Sequence, residues 1–202
     1  MNGKLVCGVG IYTKGKHKAS DNGRSTKVYD AWRHMLMRCY DSSTLSRDPT
    51  YASCTVCDEW LDFQAFAEWY DKNYPRDGEV YQLDKDLKVI GNKVYSPKTC
   101  LFTLGVVNTF TVDRGAARGD YMIGVNWWDK RCEKFRSCCR NPFTKKQESL
   151  GYFTDELSAH LAWRKRKSEL AYQLAMKQSN PEVRDALLRW KSALDNNEIH
   201  AV

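Results

Sequence analysis

Two groups of residues in this chain have types and spacings that could do chemistry. The first is a set of thiols. Cys54-Thr55-Val56-Cys57 is a CxxC pair, with Cys39 before it and Cys100 after it. Four thiolates match the tetrahedral preference of zinc, so Cys39, Cys54, Cys57 and Cys100 are candidate ligands of a structural zinc ion. The same residues can also serve as small apolar fillers of a core. The opening MNGKLVCGVG has one lysine and too short an apolar stretch for a secretory signal. The eight cysteines are therefore expected as reduced thiols or metal ligands rather than disulfides, in a cytoplasmic protein.

The second group comes from strand parity in the second half. Residues 121–128, 133–140 and 147–153 read as three short strands. Side chains alternate faces along a strand. Ile123, Val125 and Trp127 then share one face, and Gly124, Asn126 and Trp128 the other. Likewise Phe135, Ser137 and Cys139 oppose Arg136, Cys138 and Arg140. One face can lie on a helix. The other offers Asn126, Trp128, Arg136 and Arg140, and a small sheet of this kind can enter the major groove, where arginine reads guanine and asparagine reads adenine. Trp127 and Trp128 are adjacent, so one of them is expected to be exposed.

Charge points the same way. The formal net charge is +7, unevenly spread. Residues 113–177 hold 14 basic and 8 acidic side chains, whereas residues 1–112 hold 15 and 13, and residues 178–202 hold 3 and 4. A surplus concentrated in one segment suits a polyanion. The run Arg164-Lys165-Arg166-Lys167 is expected to form a solvated helix face. No stretch approaches the roughly 20 apolar residues of a membrane span, so no membrane partner is expected.

The elements that must position these groups are legible as period changes. Residues 4–12 read as a short strand, and 13–26, rich in Lys, Gly and Ser, as a mobile loop. Tyr29, Trp32, Leu36 and Cys39 mark a helix over 27–40, and Trp60, Phe63 and Phe66 another over 58–71. Residues 79–86 alternate as a strand, Gly91-Asn92 is a turn, and Val94-Tyr95 returns as a second strand. Ser96-Pro97 reads as an N-cap followed by proline at the first helical position. Residues 155–178 form a long helix, and Asn180-Pro181 opens a last one with Val183, Leu187, Trp190 and Leu194 on one face. The fold class is α+β. The expected division is a module over 1–112, a linker over 113–120, a sheet-and-helix domain over 121–178 and a C-terminal helix over 179–202.

Two resemblances follow. The stretch IGVNWWDKRCEKFRSCCRN, then SLGYFTDELSAHLAWRKRK, resembles the Apetala-type DNA-binding domain, which also occurs in phage and mobile-element endonucleases. The matching positions are Gly124-Val125, Phe135, Leu150-Gly151-Tyr152-Phe153-Thr154 and Glu156 to Ala159. The resemblance implies that the sheet contacts double-stranded DNA through Asn126, Trp128, Arg136 and Arg140. Lys130, Arg131, Lys145 and Lys146 would hold phosphates. The chain departs from the family at Asn126, where arginine is usual, and at Cys138, where a carboxylate is usual.

Residues 83–108, LDKDLKVIGNKVYSPKTCLFTLGVVN, resemble the core of phage HNH endonucleases, a two-strand hairpin and helix gripping one divalent metal. Upstream, Trp32, Met35, Arg38-Cys39-Tyr40 and Val56-Cys57-Asp58-Glu59-Trp60 fit the same branch. The resemblance implies Asp84, Lys85 and Asn108 as the catalytic positions, Mg or Mn as the metal, and Asn92 as a loose match to the middle asparagine. The family has histidine where this chain has Lys85, and a protonated lysine is a poor base near neutral pH. The four histidines, His17, His34, His160 and His200, do not restore the motif, and His160 is expected to be exposed. The implied function is DNA binding in the cytoplasm of a phage-infected cell, with nicking or cleavage retained or lost. The alternative is an inactive phage protein that uses the scaffold to bind a host or competitor protein.

Overall fold

A computed structural model describes residues 5–112, 120–128 and 133–199. The chain divides into two compact units, Met1–Leu104 and Gly105–Val202, each mixed α and β. No described helix is long and apolar enough to cross a membrane.

The first unit opens with a tight turn, Val6 pairing with Gly10, after which Ile11 bridges Asp62. A two-residue hairpin follows, β1 (Ser20–Asp21) and β2 (Arg24–Ser25). The segment expected as a mobile loop is thus ordered in part. Asn22 and Gly23 both have positive φ, the conformation that two-residue hairpin turns require. Next comes α1 (Lys27–Tyr40), capped by the Thr26 hydroxyl on the Tyr29 N–H and burying Trp32, Met35, Leu36 and Cys39. Then come α2 (Ser42–Arg47), a 3-10 turn (Pro49–Tyr51) and β3 (Thr55–Val56). The helix expected over 58–71 is broken into α3 (Asp58–Leu61) and α4 (Phe63–Asn73), because the Asp62 carboxylate caps the second by accepting from Gln64 and Ala65. Trp32, Trp60, Phe63 and Phe66 are fully buried together, and the Trp32 indole N–H donates to the Trp60 carbonyl at 2.8 Å.

Strand pairing in this unit departs from the expected hairpin. β4 (Tyr81–Asp84) does not pair with β5 (Val94–Tyr95). It pairs antiparallel with β6 (Leu101–Leu104), while β5 runs parallel to β3. Ser96-Pro97 begins a single turn rather than a helix. The Ser96 carbonyl accepts from Thr99 and Cys100, and the buried Leu101, Phe102 and Thr103 then extend as a strand. The helix α5 (Gly105–Thr111) starts only after that strand.

In the second unit β7 (Val125–Trp128), β8 (Lys134–Arg140) and β9 (Gln147–Phe153) form an antiparallel sheet in the order 7-8-9. The long α6 (Glu156–Met176), capped by Asp155, lies on one face of that sheet, and α7 (Pro181–Asp195), capped by Asn180, runs beside α6. Two glycines make this possible. Gly124 has φ +82°, and a Cβ there would sit 2.1 Å from Cγ of Trp163 on α6. Gly151 has φ +126°, beside a register shift in which Ser137 pairs with Gly151 but Cys138 with Ser149. Leu150 is therefore the extra residue of a bulge in β9.

Candidate functional site

The outer face of the β7–β9 sheet is built row by row. Asn126 pairs with Arg136, and Arg136 with Tyr152; Trp128 pairs with Lys134. Asn126, Trp128, Lys134 and Tyr152 are exposed. The Arg136 guanidinium lies 4.8 Å from the centre of the Trp128 ring, and Trp128 meets Tyr152 at 5.9 Å. Nε of Arg136 donates to the Ser149 hydroxyl at 3.3 Å. Together these contacts fix the guanidinium beside Trp128 on this face. Arg140 is exposed at the end of β8, and Lys145 and Lys146 are exposed in the turn that follows. Lys130 and Arg131 lie outside the described residues, as do residues 113–119 of the expected linker and His200.

Simple parity missed Tyr152 and Ser149. The Leu150 bulge shifts the alternation of β9, so both join Arg136. The only sequence signal for it was Gly151. Cys138, by parity an outer residue, is 4% exposed and offers no thiol to a groove. Trp127 and Trp128 are both about as exposed as each other, at 40% and 44%, because Trp127 rests edge-on against Phe135 at the open margin of the inner face.

The inner face has its own polar anchors. Arg166 on α6 grips Glu148 on β9 with Nε–Oε2 at 2.7 Å and a second contact at 3.1 Å, and also meets Glu169. Arg166, then Asn141, hold the Glu148 carboxyl down to about 2. Arg164 donates to Asn197, and Lys167 to the Phe110 carbonyl. The basic run is thus mostly committed to the unit's own structure, not solvated as expected. His160 is corrected too: it is 2% exposed, with Nδ1 2.9 Å from the Ile123 carbonyl oxygen and its ring stacked on Trp163.

In the first unit Asp84 ends β4 and Lys85 follows it, both buried. Oδ1 of Asp84 accepts backbone N–H bonds from Asp86 at 3.0 Å and Leu87 at 2.7 Å. Burial, and secondarily the Asp86 charge, pushes the Asp84 carboxyl up to about 6 despite those bonds. Lys85 donates to Oδ2 of Asp86 at 2.7 Å and lies over Tyr51 and Tyr95. Burial pulls its pKa down, but Asp86 outweighs burial and the net shift is upward. A lysine held in that ion pair keeps its proton and has no lone pair to act as a base. Asn92 ties the segment between β4 and β5 to the end of β4. Its amide donates to the Lys85 carbonyl at 2.7 Å and the Val94 carbonyl at 2.8 Å. Asn108 is half-buried on α5, in the second unit. His34 is exposed on α1, and His17 pairs with Asp71.

Among the described residues, no three His, Cys, Asp or Glu side chains converge where a metal ion could sit. Asp86, the carboxylate whose charge acts on Asp84, is engaged by Lys85. Cys54 neighbours Cys39, and Cys57 neighbours Cys100. Burial pushes Cys39 and Cys100 each up to about 12; the neighbouring Cys54 adds to the first, and Asp84 and Cys57 add to the second.

Asp84 gives a pH prediction. Its folded value lies above the ordinary carboxylate value, so folding takes up a proton and its contribution to stability is full below about pH 4 and lost as pH rises through 6. Asp84→Asn keeps an oxygen for the two N–H bonds and removes the titration. Chemical denaturation at pH 4, 5, 6 and 7 is expected to show wild type losing stability relative to the variant as pH rises. Parallel curves would refute the buried neutral carboxyl.

No family model matches the chain, and neither does any curated protein or solved structure.

Proposed function

We propose that this protein binds double-stranded DNA through the outer face of the β7–β9 sheet. One observation carries the reading: Arg136 is fixed over Trp128 between exposed Asn126 and Tyr152, and none of the described strand residues on that face is acidic. A planar guanidinium held in this way suits guanine, and asparagine suits adenine. Lys134, Arg140, Lys145 and Lys146 flank the face and would hold phosphates, with Lys130 and Arg131 as further candidates. The Apetala-type resemblance supports the same docking mode.

For the first unit we propose an HNH-like scaffold that no longer cuts. The antiparallel pairing of β4 with β6 and the Asn92 clasp support the scaffold. The Lys85–Asp86 ion pair argues against a working base. Metal-dependent nicking stands as the second reading, on the strength of the buried Asp84. Zinc on the four cysteines remains a proposal for metal analysis: about one ion per chain would support it, and much less would end it.

The test uses duplex DNA and supercoiled plasmid. Affinity for duplex is expected to fall steeply between 50 and 200 mM salt, by roughly 10³-fold or more if about six phosphates are contacted. With Mg or Mn no nicking is expected. Nicking that Asp84→Ala abolishes would establish the enzyme reading. Salt-independent or undetectable duplex binding, with specific capture of a defined protein, would replace both.

A further inference from the structure

The second unit contains a cleft of about 330 Å3 between α5 and the β8–β9 turn. Val106, Phe110 and Pro142 form its apolar wall, and Arg140, Lys145 and Lys167 bring three positive charges to it. No described acidic residue lines it. The surrounding charges are handled differently: Arg166 meets both Glu148 and Glu169. Arg140 and Lys145 make no ion pair among the described residues.

The turn that presents them is tightly specified. Asn141 is buried; its amide donates to Glu148 at 2.7 Å and its oxygen accepts from the Phe143 and Thr144 N–H groups. The backbone closes with Asn141 N–H on the Lys146 carbonyl at 2.9 Å. This frame holds Lys145 at φ +58°, a left-handed conformation that a lysine rarely adopts. Strain maintained by a buried hydrogen-bond frame is characteristic of functional positions. On the far side, Lys167 is fixed by the Phe110 carbonyl at 2.6 Å and lies 3.7 Å from the Phe110 ring centre.

We propose that this cleft binds a phosphomonoester of nucleotide size. A phosphomonoester carries close to two negative charges near neutral pH, which suits several converging cations better than a phosphodiester or carboxylate does. The volume falls in the range of small-ligand sites, and the apolar wall accommodates a sugar or base beside the anion. Two sources share this chemistry: a free nucleoside 5′-monophosphate, and the 5′-phosphate at a strand end. The second source rests on the DNA reading above; the first does not.

The experiment is calorimetric titration of the full chain with dAMP, deoxyadenosine and inorganic phosphate. Alongside it, one short duplex is compared with and without 5′-phosphates. Binding of dAMP is expected at least about tenfold tighter than either fragment, and Lys145→Ala should weaken it about tenfold. Thr109→Trp, from the exposed side of α5, fills the cleft and should abolish it with an unchanged melting temperature. If that variant melts early, Lys145→Glu supplies the same test from the surface. A preference for phosphorylated duplex without dAMP binding assigns the strand end as the ligand, and dAMP binding alone assigns the free nucleotide. Neither result, or binding indifferent to Thr109→Trp and Lys145→Glu, overturns the proposal. Duplex with 5′-hydroxyl ends is the separate control: its failure to bind sinks the DNA reading and leaves the cleft result standing.

Discussion

Gly124→Val is expected to unfold the second unit while the first still melts cooperatively. The site fails twice for any larger residue. Its φ of +82° disfavours a side chain, most of all a β-branched one. The added Cβ would also sit 2.1 to 2.5 Å from three atoms of Trp163, which is 4% exposed and stacked on His160. Left-handed strain of about 1–2 kcal/mol and overpacking of about 1–3 kcal/mol together approach the marginal stability of a small domain. Thermal unfolding followed by circular dichroism, with limited proteolysis to assign the transition, checks this. Trp163→Ala should recover part of the loss when combined with Gly124→Val, although alone it costs about 3–5 kcal/mol. A melting temperature within a few degrees of wild type for the single glycine variant would show that the close approach is not required.

Arg136→Ala is expected to weaken duplex binding about 10- to 100-fold at 0.1 M salt, the worth of one well-placed arginine–base contact. The slope of affinity against salt should change by no more than one phosphate equivalent, because the residue reads rather than anchors. Arg136→Lys should recover little, since an ammonium cannot lie flat on the Trp128 indole and present a fork. Melting should hardly move, because Arg136 makes one hydrogen bond at the surface of a sheet whose core faces away from it. Fluorescence anisotropy with a labelled duplex across a salt series separates these effects. Equal loss in Arg136→Ala and Lys146→Ala, with equal slopes, would mean the face acts only as a charged patch.

The second half was the more legible part of the sequence. Strands expected over 121–128, 133–140 and 147–153 appear as Val125–Trp128, Lys134–Arg140 and Gln147–Phe153, α6 falls within the helix expected over 155–178, and α7 falls where its apolar spacing put it. Each strand there pairs with its neighbour in sequence, so local pattern and pairing agree. The first unit was harder because its pairings are not local. Val94-Tyr95 reads as the return strand of a hairpin, yet Thr55-Val56 takes it in parallel, and Leu101–Leu104 returns to Tyr81–Asp84 instead. No propensity rule encodes which of two short apolar runs reaches a strand first. Asn22-Gly23 was a readable hairpin signal masked by the surrounding lysines and serines. At the candidate sites, Asn126, Trp128, Arg136 and Arg140 were found by parity. Tyr152 escaped because a bulge breaks parity, and the ion pair that occupies Lys85 depends on burial.

The anchoring of β7 has a consequence for how the second unit assembles. The segment leading into that strand is held by α6: Glu156 accepts from Met122, 34 residues away, and His160 meets Ile123, 37 residues away. By contrast, β7 pairs with β8 and β8 with β9, each with its neighbour in sequence. The sheet can therefore form from local contacts, whereas the two bonds from α6 must wait for a long loop to close. In kinetic terms the strand that carries Asn126 and Trp128 is paired early and clamped last. During synthesis its lead-in stays unheld until the helix behind it has emerged. The recognition face is thus locked in place only in a chain translated past His160.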